Sequence, residues 1–264
     1  MEVQFIHLRE GALAEAGTIL DGLSARRVFF VVDESAYAAS GAAKVMAPYF
    51  RGRRIVEFAD FELNPKLHDV ERGIVQCRSA KPDVVIALGG GTAIDLAKLI
   101  GTLAAQEDPA RQIVTGRAHI EQEGKPLIAV PTTSGTGSEA THFAVVYVDG
   151  RKISLAHRQL LPDYALVDAK LTHSAPPHIT ASTGVDALCQ AVESLWAVRA
   201  TDGGGPSKHM PSRPSSRQGD QHQQDDRTAC LVVRDHKRLR RAPRRGGCTS
   251  VGRAARIQRA GHRS

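Results

Sequence analysis

Two short strings constrain this 264-residue chain more than anything else in it: Leu88-Gly-Gly-Gly-Thr-Ala-Ile-Asp95 and Pro131-Thr-Thr-Ser-Gly-Thr-Gly-Ser-Glu-Ala-Thr141. Each follows a strand-like segment that is apolar after its first residue or throughout, Asp83-Val-Val-Ile-Ala-Leu88 in the first case and Pro126-Leu-Ile-Ala-Val130 in the second. Short apolar runs of this kind, ended by glycine, read as strands buried on both faces of a parallel sheet. Residues 94–103 then carry a helical pattern right after the first loop. In a strand, glycine loop and helix of this order, backbone N–H groups and the helix N-terminus can cradle a pyrophosphate. A glycine triplet alone also fits a plain tight turn, but its place after an apolar strand favours the phosphate.

The surrounding pattern repeats the same logic. Arg27-Val-Phe-Phe-Val-Val-Asp33 reads as a buried strand ending at an acid, residues 35–47 as the helix after it, residues 54–58 as a strand and residues 67–79 as a helix. After the turn at Asp149-Gly150, residues 153–155 and 164–168 add short strands, and Pro176-Pro177 stops the domain. Strands alternating with helices, with both glycine loops at strand C-termini, predict an α/β, Rossmann-like doubly wound domain over residues 1–177. Residues 178–198 read as a long helix with Val185, Leu188, Val192, Leu195 and Trp196 on one face, so residues 178–202 open a second, all-helical domain. Asp33 has two readings of equal weight: an acceptor for an adenosine ribose, favouring NAD over NADP, or an N-cap for the next helix.

Charge divides the chain. Of its 35 Lys and Arg, fifteen lie from Gly203 onward with only four acids, leaving twenty basic and twenty-four acidic residues before; the first part is about −4 and the tail about +11. Basicity is therefore a property of residues 203–264 alone. Cys77, Cys189, Cys230 and Cys248 have no C-x-x-C spacing, which points to reduced, mostly buried thiols and away from a disulfide framework or thiolate metal site. No apolar run is long enough for a membrane span and the N-terminus lacks signal-peptide character, so a cytoplasmic protein without a membrane partner is expected.

The two loops together resemble the two signatures of the iron-dependent (group III) alcohol dehydrogenase family. Gly184-Val-Asp-Ala-Leu-Cys-Gln-Ala-Val-Glu193 resembles the start of that family's helical, metal-binding domain. The resemblance implies an enzyme that uses NAD or NADP and a divalent metal, iron or zinc, to move hydride between the nicotinamide and a small alcohol or aldehyde. Carried over position by position, it implies cofactor contacts at Gly90, Gly91, Thr92, Thr133, Thr136 and Thr141, Lys152 near the ribose, and Asp186 as first metal ligand. The family's helix has a His four residues after that Asp, on the same face. This chain has Gln190 there, a poor metal ligand. A Gln at that position resembles a phosphonate-metabolism subgroup that reduces phosphonoacetaldehyde, in which Gln190 would hydrogen-bond substrate; an ordinary helix Gln is the alternative. The related glycerol dehydrogenase and dehydroquinate synthase branch shares the nucleotide domain, and the Thr/Ser-rich loop favours the alcohol dehydrogenases over it. A homodimer remains open.

The family has two further His ligands downstream, in Pro-His-Ala and Pro-His-Gly contexts, and neither occurs here. Residues 203–264 hold no Phe, Tyr or Trp, which predicts a disordered basic tail. As a functional segment it would be a nucleic-acid arm, with Arg238, Arg240, Arg241, Arg244 and Arg245 on phosphates, attached to a non-catalytic nucleotide-binding module. A shifted reading frame accounts for it better. Regrouped codons for Gly219-Asp-Gln-His-Gln-Gln-Asp225 can read Ala-Ile-Asn-Ile-Ser-Lys. Those from Thr228 to Leu231 can give Ala-Pro-His-Ala-Leu, and those from Arg241 to Gly247 can give Val-Pro-His-Gly-Glu-Ala. Both missing histidine contexts return in order. The tail is thus expected to be out-of-frame, nucleic acid is not the expected partner, and catalysis should be weak or absent.

Overall fold

The computed structural model describes residues 4–196 and 255–256. In chain order the elements are β1 (Phe5–Leu8), α1 (Glu15–Gly22), β2 (Arg27–Val32), α2 (Glu34–Ala39), α3 (Ala42–Phe50), β3 (Arg54–Phe58), α4 (Leu67–Ala80), β4 (Val84–Gly89) and α5 (Gly91–Leu103). There follow α6 (Ala110–Val114), β5 (Leu127–Pro131), β6 (Phe143–Val148), β7 (Arg151–Ala156), β8 (Tyr164–Val167), α7 (Pro177–Trp196) and the two-residue β9 (Ala255–Arg256). Six strands pair in parallel in the order β3-β2-β4-β5-β8-β1. β9 adds to the edge antiparallel to β1. The fold is an α/β, Rossmann-like parallel sheet with flanking helices.

The apolar runs explain why the sheet is covered on both faces. Along β2, Val28, Phe30 and Val32 pack in one cluster with Leu20, Met46 and Leu166, while Phe29 and Val31 pack in the other with Ile74, Leu96 and Ile100. β4 divides the same way, Val84, Ile86 and Leu88 against Val85 and Ala87. Side chains alternate with a period of two, so a run apolar at every position needs a hydrophobic layer above and below. The start of β2 is pinned electrostatically. Asp83 accepts from the backbone N–H groups of Arg26 and Arg27 at 2.9 Å each and from the Arg27 guanidinium at 2.7 Å. The guanidinium bond, with the two amides, holds the Asp83 carboxyl down at about 2.

Several local expectations are corrected. The helix expected over residues 35–47 is two helices, α2 and α3, because Gly41 takes a left-handed conformation (φ 77°) between them. α5 begins at Gly91, inside the glycine triplet, rather than after it. The strand at residues 153–155 belongs to a β6–β7 hairpin closed by Asp149 and Gly150, both at positive φ, and β6 itself was not anticipated. Apart from β9, the tail, including Arg238, Arg240, Arg241, Arg244, Arg245 and the segments with an alternative reading frame, lies outside the described residues. Among the described residues no helix is long and apolar enough to cross a membrane.

Candidate functional site

β2 is paired on both sides, to β3 and to β4, and the chain travels out to β3 before returning to β4. At such a reversal, beyond the carboxyl ends of the strands, open α/β sheets take their ligands. Three strand ends meet there. The Asp33 N–H donates to the Leu88 carbonyl and the Thr132 N–H to the Gly89 carbonyl, both at 2.9 Å. The segments after β2, β4 and β5 are thereby held side by side.

The two glycine loops face one another. A Cβ placed on Gly90 would stand 3.4 Å from both Oγ1 and Cγ2 of Thr133, and one on Gly91 would stand 3.3 Å from the Ser138 Oγ and 3.4 Å from the Thr136 Cγ2. A side chain at Gly90 would touch the opposing loop and one at Gly91 would crowd it, so the two glycines keep the space between the loops clear. Thr133 Oγ1 is buried in it and has no hydrogen-bond partner among the described residues. A hydroxyl left unsatisfied this way costs about 1–3 kcal/mol, and an anionic oxygen seated between the loops would relieve it. The cradle therefore fits a phosphate ester on the chemistry of the residues present. The far side of the 131–141 loop rests on α7: Gly135 has φ 137°, and a side chain there would collide with the Thr183 carbonyl.

The remaining expected residues make contacts of their own. Thr92, on the first turn of α5, accepts the Asn64 N–H at 3.2 Å, and Thr136 accepts the Ser138 N–H at 3.4 Å. Thr141 lies behind the loop, its hydroxyl accepting from Lys98 Nζ at 3.0 Å and donating to the Ser138 carbonyl at 3.4 Å. Asp33 caps α2: its Oδ1 accepts the Ala36 N–H at 3.1 Å and the Ser35 hydroxyl at 2.6 Å. Of its two readings the cap is therefore directly observed. Lys152 is exposed on β7 opposite Tyr147.

Behind the cradle sits a buried charged group that the motif reading passed over. Asp95, Lys98 and Glu139 are all enclosed. Burial pushes the Asp95 and Glu139 carboxyls up, with the Lys98 charge opposing the rise in both. The signal was present, since Asp95 and Lys98 fall one helical turn apart immediately after the glycines, but nothing local says that they point inward.

Of the expected metal ligands, the described residues include Asp186. Asp186 is exposed on α7, and the Gln190 amide donates to its Oδ2 at 3.0 Å. Among the described residues no group of three or more His, Cys, Asp or Glu could hold an ion. One carboxylate paired with an amide donor does not fit a divalent metal.

Comparison with known proteins identifies the family. Residues 4–169 match the family model described as iron-containing alcohol dehydrogenase. The chain is 36% identical over 198 residues to long-chain-alcohol dehydrogenase 1 of Geobacillus thermodenitrificans, covering 74% of this chain and 50% of that protein. It is 32% identical over 195 residues to sulfoacetaldehyde reductase of Bilophila wadsworthia, covering 72% of this chain and 50% of that one. A solved sulfoacetaldehyde reductase from Bifidobacterium kashiwanohense, in complex with NAD+, superposes with a TM-score of 0.71 at 25% identity, covering 89% of this chain and 65% of that chain. The chain thus spans about half the length of the curated relatives it matches.

Proposed function

The chain belongs to the iron-containing alcohol dehydrogenase family, and from that premise we propose that its α/β domain binds a nicotinamide dinucleotide across the two glycine loops, with NAD preferred over NADP. The observation that carries this reading is the buried, unpartnered Thr133 hydroxyl beside Gly90. When bound, the dinucleotide supplies a hydride donor or acceptor at its nicotinamide ring. The backbone at Gly90 and Gly91 and the N-terminus of α5 receive the pyrophosphate, and the Thr133 hydroxyl donates to it. Thr92 and Thr136 border the same gap, and Thr141 supports it from behind. Lys152 lies toward the ribose, while the second carboxylate oxygen of Asp33 accepts from a ribose hydroxyl and repels a 2′-phosphate.

In a full-length relative this domain works with a helical partner to interconvert a small alcohol and its aldehyde. The substrate class proposed is a two-carbon aldehyde carrying an anionic group, with phosphonoacetaldehyde as first candidate. The replacement of the expected His by Gln190 and the likeness to proteins named sulfoacetaldehyde reductase support that choice. In this chain the nucleotide domain is retained, residues 178–202 open the helical domain, and residues 203–264 are an out-of-frame product. Its location is cytoplasmic and its assembly a homodimer. It binds nucleotide and turns over weakly or not at all, since the downstream Pro-His-Ala and Pro-His-Gly contexts of the family do not occur in its sequence. Titration calorimetry of NAD+ and NADP+ into the full chain, followed by an NADH-oxidation assay with phosphonoacetaldehyde and added iron(II) or zinc, tests both halves. NAD+ should bind more tightly than NADP+, without turnover. Failure of both nucleotides to bind removes the nucleotide reading; rapid turnover with metal removes the loss of catalysis.

A further inference from the structure

Lys98 is a lysine with no access to water: the residue is 1% exposed and its side chain reaches inward from the second turn of α5. Its ammonium donates to the Thr141 carbonyl at 2.9 Å, the Thr141 hydroxyl at 3.0 Å and the Phe143 carbonyl at 2.9 Å. These three acceptors lie where the 131–141 loop leaves the cradle and β6 begins. One turn earlier on the same helix, Asp95 stands 4.0 Å from the ammonium and accepts the Val145 N–H at 3.0 Å. The first turn of α5 carries Gly91, so one helix presents the glycine side of the cradle at its start and grips the exit of the opposing loop with its next turn.

An enclosed ammonium is costly to desolvate, and an apolar side chain of similar volume would fill the same space at lower cost. What the charge adds is direction, because three fixed acceptors hold the loop at one distance from the helix. Resting on the nucleotide-binding reading above, we propose that Lys98 is a positioning residue for the dinucleotide: by fixing Thr141 and Phe143 against α5 it sets the separation of Gly90 and Gly91 from Thr133 and Thr136, the gap that takes the pyrophosphate.

The test compares the full chain with Lys98→Met and Lys98→Gln, reading NAD+ affinity by calorimetry, adenosine affinity by NMR titration and thermal stability in parallel. Adenosine lacks the pyrophosphate and serves as the internal control. In the Met variant the Kd for NAD+ should rise about tenfold or more while that for adenosine holds, because the misplaced groups are those facing the phosphates. Gln, which keeps two amide donors, should fall between Met and wild type, and it carries the comparison if the Met variant does not fold. An unchanged NAD+ affinity in the variants, or an equal loss for NAD+ and adenosine, overturns the proposal, as does failure of both variants to fold, which would make Lys98 a folding residue. Wild-type protein that binds adenosine but not NAD+ overturns the pyrophosphate reading itself, before any variant is compared.

Discussion

α5 and α7 both carry apolar residues at helical spacing, and they have opposite fates. α5 lies between the sheet and the β6–β7 hairpin, and from Ala93 to Leu103 all of its residues are buried. α7 is longer, at 20 residues, yet Val185 is 59% exposed, Leu188 62% and Trp196 79%. Its contact with the rest of the described chain runs through small groups, such as the Thr183 carbonyl over Gly135 and the buried Ala187. An amphipathic stripe specifies that something apolar should lie against a helix, and does not supply it. The α/β region closes its core with its own strands and helices, whereas α7 presents a face that the other described residues leave uncovered.

The largest expected effect comes from making the same truncation on both helices. Leu96→Ala on α5, where the side chain has no exposure, should lower unfolding stability in urea by about 2–5 kcal/mol. Leu188→Ala on α7 should stay within about 0.5 kcal/mol of wild type. Equal losses would mean that the α7 stripe is packed in solution and would break the contrast. A smaller effect is expected on association: Leu188→Glu, by placing charge in the stripe, should reduce binding of a hydrophobic dye and light scattering on storage, with NAD+ affinity unchanged. Unaltered dye binding would move the exposed apolar surface elsewhere.

The smallest effect sharpens the account of the buried charges. The folded protein holds the Glu139 proton more tightly than the unfolded chain does, so the stability contributed by this group is complete below the ordinary carboxylate range and is lost as pH rises through the folded value. Glu139→Gln removes that loss. The variant should melt above wild type near neutral pH, by about 1 kcal/mol or less, with the gap closing as pH falls toward about 4. Melting curves recorded across that interval check the sign, and a gap that widens on acidification would show that Glu139 is held ionised.

Much of the site was legible because glycine loops at strand ends are local objects. The runs before Gly89 and Pro131 declare their strands through composition, whereas Gly90, Gly91, Thr133 and Thr136 were singled out by the resemblance to the family. The split of α2 from α3 at Gly41 was less legible, since an isolated glycine within a helical pattern is tolerated about as readily as it terminates one. The β6 strand was missed because the register that matters, Phe143 against Ala156 and Val148 against Arg151, is written across a turn rather than within a window.

What the amino-acid sequence determined by itself was the element alternation, the doubly buried strands, the two loops and the family to which they belong, all carried by neighbours in the chain. The Asp33 cap and the Gln190–Asp186 bond are local, three and four residues apart in the chain. Only the tertiary structure decided that Gly90 meets Thr133 and that Lys98 ties α5 to a loop 43 residues away. These are distances between residues that only the parallel register of β2, β4 and β5 brings together, and no periodicity along one segment encodes them.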